Sequence, residues 1–251
     1  MTGFTLQIIG SSCAVPNRDA ATACYLVSNG STTVMLDAGH GSLGKLRAYR
    51  QPDELAAVVI THMHPDHCVD LIALRNFIYT RRLPSIPLHL PPTGVDCLRD
   101  LGAALSLGTD YFDSAFDLVP YEDGKMFSVG TMDFETARSR HNSDSHMVGI
   151  RAGGRRCVYT GDTAAFAGLV EFATACDLLL VEATDAPGSK PEPRWHLGPE
   201  EIASAIAAAR PRTTVLTHYD ADVIDETCTA IRSSEPALAV LIAAEGQFYE
   251  I

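Results

Sequence analysis

Three histidines and one aspartate fall within the six residues His62-Met63-His64-Pro65-Asp66-His67. Imidazole and carboxylate are the donors that suit zinc, manganese or iron, and such a site needs no thiolate. His62 and His64 are two residues apart, so an extended chain points both to one side. Asp66 and His67 fall at the turn into an expected helix and can face a second point nearby. One loop can therefore reach two cations, which stand roughly 3.5–4 Å apart in two-metal hydrolytic sites. The competing reading is a polar, solvated loop, and the density of ligand-type side chains argues against it.

Other acids and imidazoles follow apolar runs in the same way. Ala57–Ile60 leads into the His62 loop, Arg156–Tyr159 into Asp162, Leu178–Val181 into Glu182 and Thr214–Leu216 into Thr217-His218. These short runs predict strands, and side chains just past strand ends converge on one edge of a sheet. Further strands are predicted over Phe4–Ile9, Ala23–Val27, Thr33–Leu36, Pro87–Leu90, Met132–Thr136, Val148–Ala152 and Ala239–Ala243. Helical spacing is found over Cys68–Arg81, Thr163–Cys176, Pro199–Arg210 and Asp222–Ser234. The third of these opens on Pro followed by two Glu and stops before Pro211, as helix ends require. Strands with helices distributed among them predict sheets covered by helices, an α/β protein with one domain over residues 1–251.

Composition narrows the partners. The 251 residues are 46% apolar and carry a formal charge of −12. Nucleic-acid affinity rests on many Lys and Arg contacts to phosphate, so this balance argues against a long nucleic acid. The seven cysteines (13, 24, 68, 97, 157, 176 and 228) are scattered, odd in number and without a Cys-x-x-Cys pair. A disulfide framework is therefore not expected. No basic and apolar leader precedes Phe4, and no run is long enough to span a bilayer. A cytoplasmic setting without a membrane partner is the expectation.

The His62-x-His64-x-Asp66-His67 loop resembles the signature of the metallo-β-lactamase superfamily. Other landmarks follow in order: Leu36-Asp37-Ala38-Gly39, the isolated His141, Tyr159-Thr160-Gly161-Asp162-Thr163 and Thr217-His218. The resemblance covers nearly the whole chain and implies a four-layer αββα sandwich of two similar halves. It implies that His62, His64 and His141 hold one cation, that Asp66, His67 and His218 hold another, and that Asp162 bridges them. Two divalent ions are implied, zinc first, with manganese or iron as alternatives. They lower the pKa of a bridging water and so supply a hydroxide nucleophile near neutral pH. His146 competes with His141 as the third histidine. His141 is preferred because it falls between the strand Met132–Thr136, with its tail, and the strand Val148–Ala152. Asp37 is read as a hydrogen-bonding group and not a ligand, and His40 and His89 as ordinary loop and strand residues.

Two elements narrow the branch. Glu182-Ala183-Thr184 resembles part of a motif of ribonuclease Z and its phosphodiesterase relatives, and His196 falls where that branch carries a further histidine. There the histidine protonates the leaving oxygen and the glutamate orients it, a suitable pairing for an alkoxide leaving group. Asp66, His196 and Glu182 are thus the catalytic candidates. Arg18, in the loop after the first strand, is a candidate phosphate contact, against the bland reading of a solvated arginine. Phe77, Tyr79, Arg81 and Arg82 could meet a base or a phosphate, though packing and a solvated helix end are favoured. Departures exist: Val181 replaces a histidine, Leu197-Gly198 follow His196 in place of the usual residues, and Asp70 stands where a glycine is common. The long basic arm with which ribonuclease Z grips transfer RNA is missing.

The chain is therefore similar to bacterial cyclic-nucleotide phosphodiesterases of this superfamily. A small phosphodiester, with 3′,5′-cyclic AMP or GMP foremost, is the expected substrate. Three alternatives remain open: a ribonuclease Z-like transfer-RNA 3′-processing endonuclease, an ester, lactone or thioester hydrolase on the same metals, and a non-catalytic metal-binding scaffold. The ribonuclease Z resemblance also implies a homodimer.

Overall fold

The computed structural model describes residues 3–189 and 192–251. The first half runs β1 (Thr5–Gly10), β2 (Cys24–Ser28), β3 (Thr33–Leu36), α1 (Ser42–Tyr49), β4 (Ala57–Val59), α2 (Pro65–Cys68), α3 (Leu71–Arg81), β5 (Ile86–Leu90), α4 (Gly94–Ala104) and β6 (Phe116–Pro120). The second half begins β7 (Met126–Val129), β8 (Met132–Arg138), β9 (His146–Ala152), β10 (Arg155–Tyr159), α5 (Ala167–Ala173) and β11 (Leu178–Glu182). It continues with α6 (Pro199–Ala209), β12 (Thr213–Thr217), α7 (Ile224–Ser234) and β13 (Leu241–Ile242). The last strand, β14 (Phe248–Glu250), crosses back to pair with β1.

The strands form two seven-stranded sheets, ordered β14-β1-β2-β3-β4-β5-β6 and β13-β12-β11-β10-β9-β8-β7, with β14 completing the sheet of the first half. Both begin antiparallel and turn parallel, from β3 onward in the first and from β10 onward in the second. Alternation along the strands builds the layers, because successive side chains point to opposite faces. Leu6, Ile8, Val59, Tyr159, Leu178 and Leu180 face the space between the sheets and form one core. Ile9, Val58 and Leu88 pack outward with Leu46, Leu71 and Leu98 of the helices. Val158, Leu179 and Val181 do the same against Leu169, Ile202 and Ile231. The result is the four-layer αββα sandwich of the metallo-β-lactamase fold.

Several elements differ from the sequence-based expectation. The helix expected over Cys68–Arg81 is two helices, α2 and α3, with Asp66 and His67 inside the first. The helix expected from Thr163 starts at Ala167, because Glu182 takes the backbone N–H of Thr163 into the site. Glu182 is the last residue of β11 and does not follow it. Strands β6, β7 and β14 are additional; all three lie at sheet edges and each buries a single residue, so no alternation of core positions marks them in the sequence. Helices α1 and α4 are also additional: α1 is short and buries only Ser42 and Leu46, and α4 buries Leu98 together with its two glycines. Among the described residues, no helix is long and apolar enough to cross a membrane.

Candidate metal centre

The parallel strands β3 and β4 of one sheet, and β10, β11 and β12 of the other, run in register, so within each sheet their C-terminal ends share an edge. Sharp exits there need unusual backbone: Asp37 and His218 adopt φ of 57° and 53°, and Gly161, just before Asp162, adopts 54°. Left-handed φ strains a residue that bears a Cβ, so Asp37 and His218 persist because surrounding bonds hold them. Gly39 meets a different demand, since a side chain on it would overlap the backbone carbonyl of Asp66.

Two clusters of donors result. The ligand-type atoms of His62, His64, His141 and Asp162 lie within 4.8 Å of one another, as do those of Asp66, His67, Asp162 and His218. Asp162 is common to both. Each cluster draws on both halves of the chain. His141, in the loop between β8 and β9, belongs to the first cluster. His146 does not: it begins β9, packs edge-on against Tyr121 and leaves its Nδ1 buried without a partner.

The far ring nitrogens are tied down. His62 Nδ1 donates to Thr61 Oγ1 (3.1 Å), His67 Nδ1 to Asp37 Oδ2 (2.7 Å), His141 Nδ1 to the Trp195 carbonyl (3.1 Å) and His218 Nδ1 to Thr184 Oγ1 (2.8 Å). These bonds set the tautomer and leave the four Nε2 lone pairs aimed inward. His64 turns its Nδ1 to the centre, 3.1 Å from His62 Nε2 and 3.2 Å from His141 Nε2. His67 Nε2 and His218 Nε2 stand 3.1 Å apart. Lone pairs at such separations repel unless a positive charge lies among them. Asp162 Oδ1 is buried without a hydrogen bond, yet is 3.3 Å from His67 Nε2 and 3.6 Å from His218 Nε2.

The electrostatics ask for cations. Burial pushes His62, His64 and His141 below the usual histidine range, so they are neutral donors at neutral pH. Burial alone would also depress His67, but the charges of Asp162 and Asp37 outweigh it and raise its pKa well above the usual value. A proton on His67 thus takes the place that a cation would fill among three buried carboxylates. Burial raises Asp66, but hydrogen bonds from His218 and His67 more than offset it and hold the carboxyl ionised. Neutral imidazoles, ionised carboxylates and an unpartnered bridging oxygen fit a pair of divalent ions.

Beside both clusters lies a Glu–His pair. Fully buried Glu182 accepts His196 Nδ1–H at 3.0 Å and the N–H of Thr163 at 2.8 Å through Oε1, and the N–H of Thr184 at 3.2 Å through Oε2. The His196 ring packs edge-on to His141 (5.1 Å) and stacks on His218 (6.0 Å), so it overlies both clusters. Burial lowers its pKa, but the charge and hydrogen bond of Glu182, then Asp162 and Asp185, raise it to about 9. Its loop is clamped by Glu201, which accepts Arg194 Nη1 on one side (2.7 Å) and the Gly198 N–H on the other (2.9 Å). Leu197 anchors the loop in the core behind the second sheet. Asp70 also has a use: its carboxylate accepts the Leu43 N–H at 2.8 Å and so ties α1 to α3.

Arg18 is exposed on the loop after β1. That loop is pinned beside His218 by Asn17, whose side chain donates to the Tyr219 carbonyl (3.0 Å) and accepts the Ala221 N–H (2.8 Å). Arg81 stacks on Phe77 at 3.9 Å and Arg75 on Tyr79 at 4.1 Å, at the end of α3 away from the metal loop. Sequence reasoning gave no role to Thr61, Trp195 or Thr184, whose oxygens orient ligand imidazoles. Thr184 was visible in the Glu182-Ala183-Thr184 run, but its use depends on β11 lying beside β12.

An αββα sandwich with a paired His/Asp site at one edge is the architecture of a metal-dependent hydrolase. Residues 32–219 match the model of the beta-lactamase superfamily domain, and the chain belongs to that superfamily. An uncharacterised protein of Mycobacterium leprae is 31% identical over 223 residues, 85% of this chain and 76% of its own length. Ribonuclease Z of Mycolicibacterium paratuberculosis is 28% identical over 238 residues, 85% of each chain. A metallo-β-lactamase fold protein, YhfI of Bacillus subtilis, superposes with a TM-score of 0.88 at 20% identity, covering 98% of this chain and 99% of the other. A diphosphatase of the PhnP family superposes with a TM-score of 0.75 at 16% identity, covering 99% and 97%.

Proposed function

We propose that the protein is a binuclear metal-dependent phosphodiesterase acting on a small phosphodiester, with 3′,5′-cyclic nucleotides foremost. The observation that carries this reading is the Glu182–His196 pair set over both ligand clusters. In this assignment His62, His64 and His141 hold one cation, Asp66, His67 and His218 the other, and Asp162 both. Zinc suits the donors, and manganese or iron would also be accepted. Bound there, the cations would supply Lewis-acid charge for the phosphoryl oxygens and an activated water near neutral pH.

The chain's own groups do the rest. His196, with Nδ1 held by Glu182, keeps Nε2 for the leaving oxygen. Water adds across the P–O3′ bond: its hydroxyl goes to phosphorus as that bond breaks, the proton of His196 goes to the 3′ oxygen, and the proton lost by the water returns through solvent to His196. Glu182 fixes the ring and favours its protonated form. Arg18 would meet the phosphate from the loop pinned beside Tyr219.

The ribonuclease Z relative is the reason for a second reading, cleavage at the 3′ end of a transfer RNA. The net charge of −12 disfavours it. No long basic insertion is found among the described residues to offset that charge. A panel of 3′,5′-cyclic AMP, bis(p-nitrophenyl) phosphate, a precursor transfer RNA and a thioester separates the readings. Turnover of the cyclic nucleotide is expected. Cleavage of the RNA alone would favour the endonuclease, and of the thioester alone an acyl hydrolase.

A further inference from the structure

Two tyrosines cross between the sheets in opposite directions. Tyr25 leaves β2 of the first sheet, and Tyr159 leaves β10 of the second; both are wholly buried. Their rings meet edge to face with centroids 4.9 Å apart. The Tyr159 hydroxyl donates to Asp37 Oδ2 at 2.9 Å, the same oxygen that receives His67 Nδ1 at 2.7 Å. The Tyr25 hydroxyl bonds to Thr217 Oγ1 at 2.8 Å, and Thr217 directly precedes His218. Tyr159 thus reaches across to Asp37, which holds the His67 ring, and Tyr25 reaches across to Thr217, the chain neighbour of His218.

Those two histidines are the pair whose Nε2 atoms stand 3.1 Å apart in the second cluster. They come from opposite halves, so their separation depends on how the sheets register against each other. Apolar packing is non-directional and leaves that register loosely defined, whereas hydrogen bonds fix distance and angle. The first cluster has its own ties across the sandwich. Tyr121, from the segment linking the sheets, donates to the Ile60 and Thr61 carbonyls, and the His146 N–H to the Thr61 carbonyl.

We infer that Tyr25 and Tyr159 are positioning residues that hold His67 and His218 at the spacing of the Asp66–His67–Asp162–His218 metal position, and that they affect the other position less, through the bond of 2.9 Å that Asp37 also accepts from Thr61 behind His62. The inference rests on the two-cation reading above. Phenylalanine at either position keeps the ring packing and removes only the hydroxyl. The test is a zinc titration of metal-stripped protein against a competing chelator, resolving two affinities, on wild type, Tyr159→Phe and Tyr25→Phe. Loss of outer partners of metal ligands weakens binding by about 10–100-fold. One affinity is expected to fall by about 10-fold in each variant while the other falls much less. Asp66→Ala identifies which affinity belongs to the second position. Two unchanged affinities, or two that fall together, would overturn the inference. Wild type that binds fewer than two zinc ions would overturn the binuclear reading as well. A change in unfolding temperature alone, with the ratio of affinities kept, would mean that the tyrosines only stabilise the fold.

Discussion

His196 carries two opposed influences: burial disfavours its charge, and Glu182, Asp162 and Asp185 favour it strongly enough to bring its pKa to about 9. The protonated form is the proton donor, so donor activity is present below the pKa and lost as pH rises through it. Cations bound at the adjacent clusters would lower that value. Removing the Glu182 charge should lower it further, so Glu182→Gln is expected to move the alkaline limb of the kcat/KM profile to lower pH. An unmoved limb would assign it to another group. His196→Ala should slow cyclic-nucleotide hydrolysis by about 10²–10⁴-fold, as loss of a general acid does. It should slow nitrophenyl diesters far less, because nitrophenolate leaves without a proton. Equal losses on both substrates, measured side by side, would remove the acid role. Asp66 touches His218 Nε2 at 3.1 Å and supplies an oxygen to one cluster. Asp66→Ala should therefore cost at least the roughly 100-fold seen when mere supporting groups are lost.

The elements place these groups by a few close approaches. The turn after β3 passes so near the His62 loop that Ala38 N–H reaches the His67 carbonyl at 2.7 Å and no side chain fits on Gly39. Gly39→Ala should then behave as an overpacking change, costing about 1–3 kcal/mol in denaturant unfolding. Because the overlap is with the Asp66 carbonyl, metal affinity should fall as well; a stable variant with wild-type affinity would contradict this. The strands that carry the site were legible in the sequence, because buried parallel strands such as Leu178–Glu182 are unbroken apolar runs ending in an acid or imidazole. Edge strands β6, β7 and β14 were not, since each buries a single residue and shows no repeated core position. The preference for His141 over His146 followed from placement between strands. What could not be read was the set of oxygens behind the ligands. Trp195 offers a carbonyl, which any residue has, and Thr184 acts across a strand pairing that local sequence does not encode.

At the scale of the molecule, each half supplies part of each cluster, so cation binding and the docking of the two sheets are linked. Ligands that bind only the folded form stabilise it, by about 2.7 kcal/mol at a concentration 100 times Kd. For a chain of this size that corresponds to a rise of roughly 5–10 °C in Tm when zinc is returned to stripped protein. Magnesium, which prefers oxygen donors, should give much less. Equal shifts with both ions would argue against a His-rich centre. On the proposed reading, two cations held between the halves would make the chain a phosphodiesterase. The most direct measurement is the rate of bis(p-nitrophenyl) phosphate hydrolysis as zinc or manganese is added stepwise to stripped protein. Activity is predicted to be absent without metal and to level off at two equivalents per chain. Activity that persists in chelator, or that is complete at one equivalent, would contradict the account.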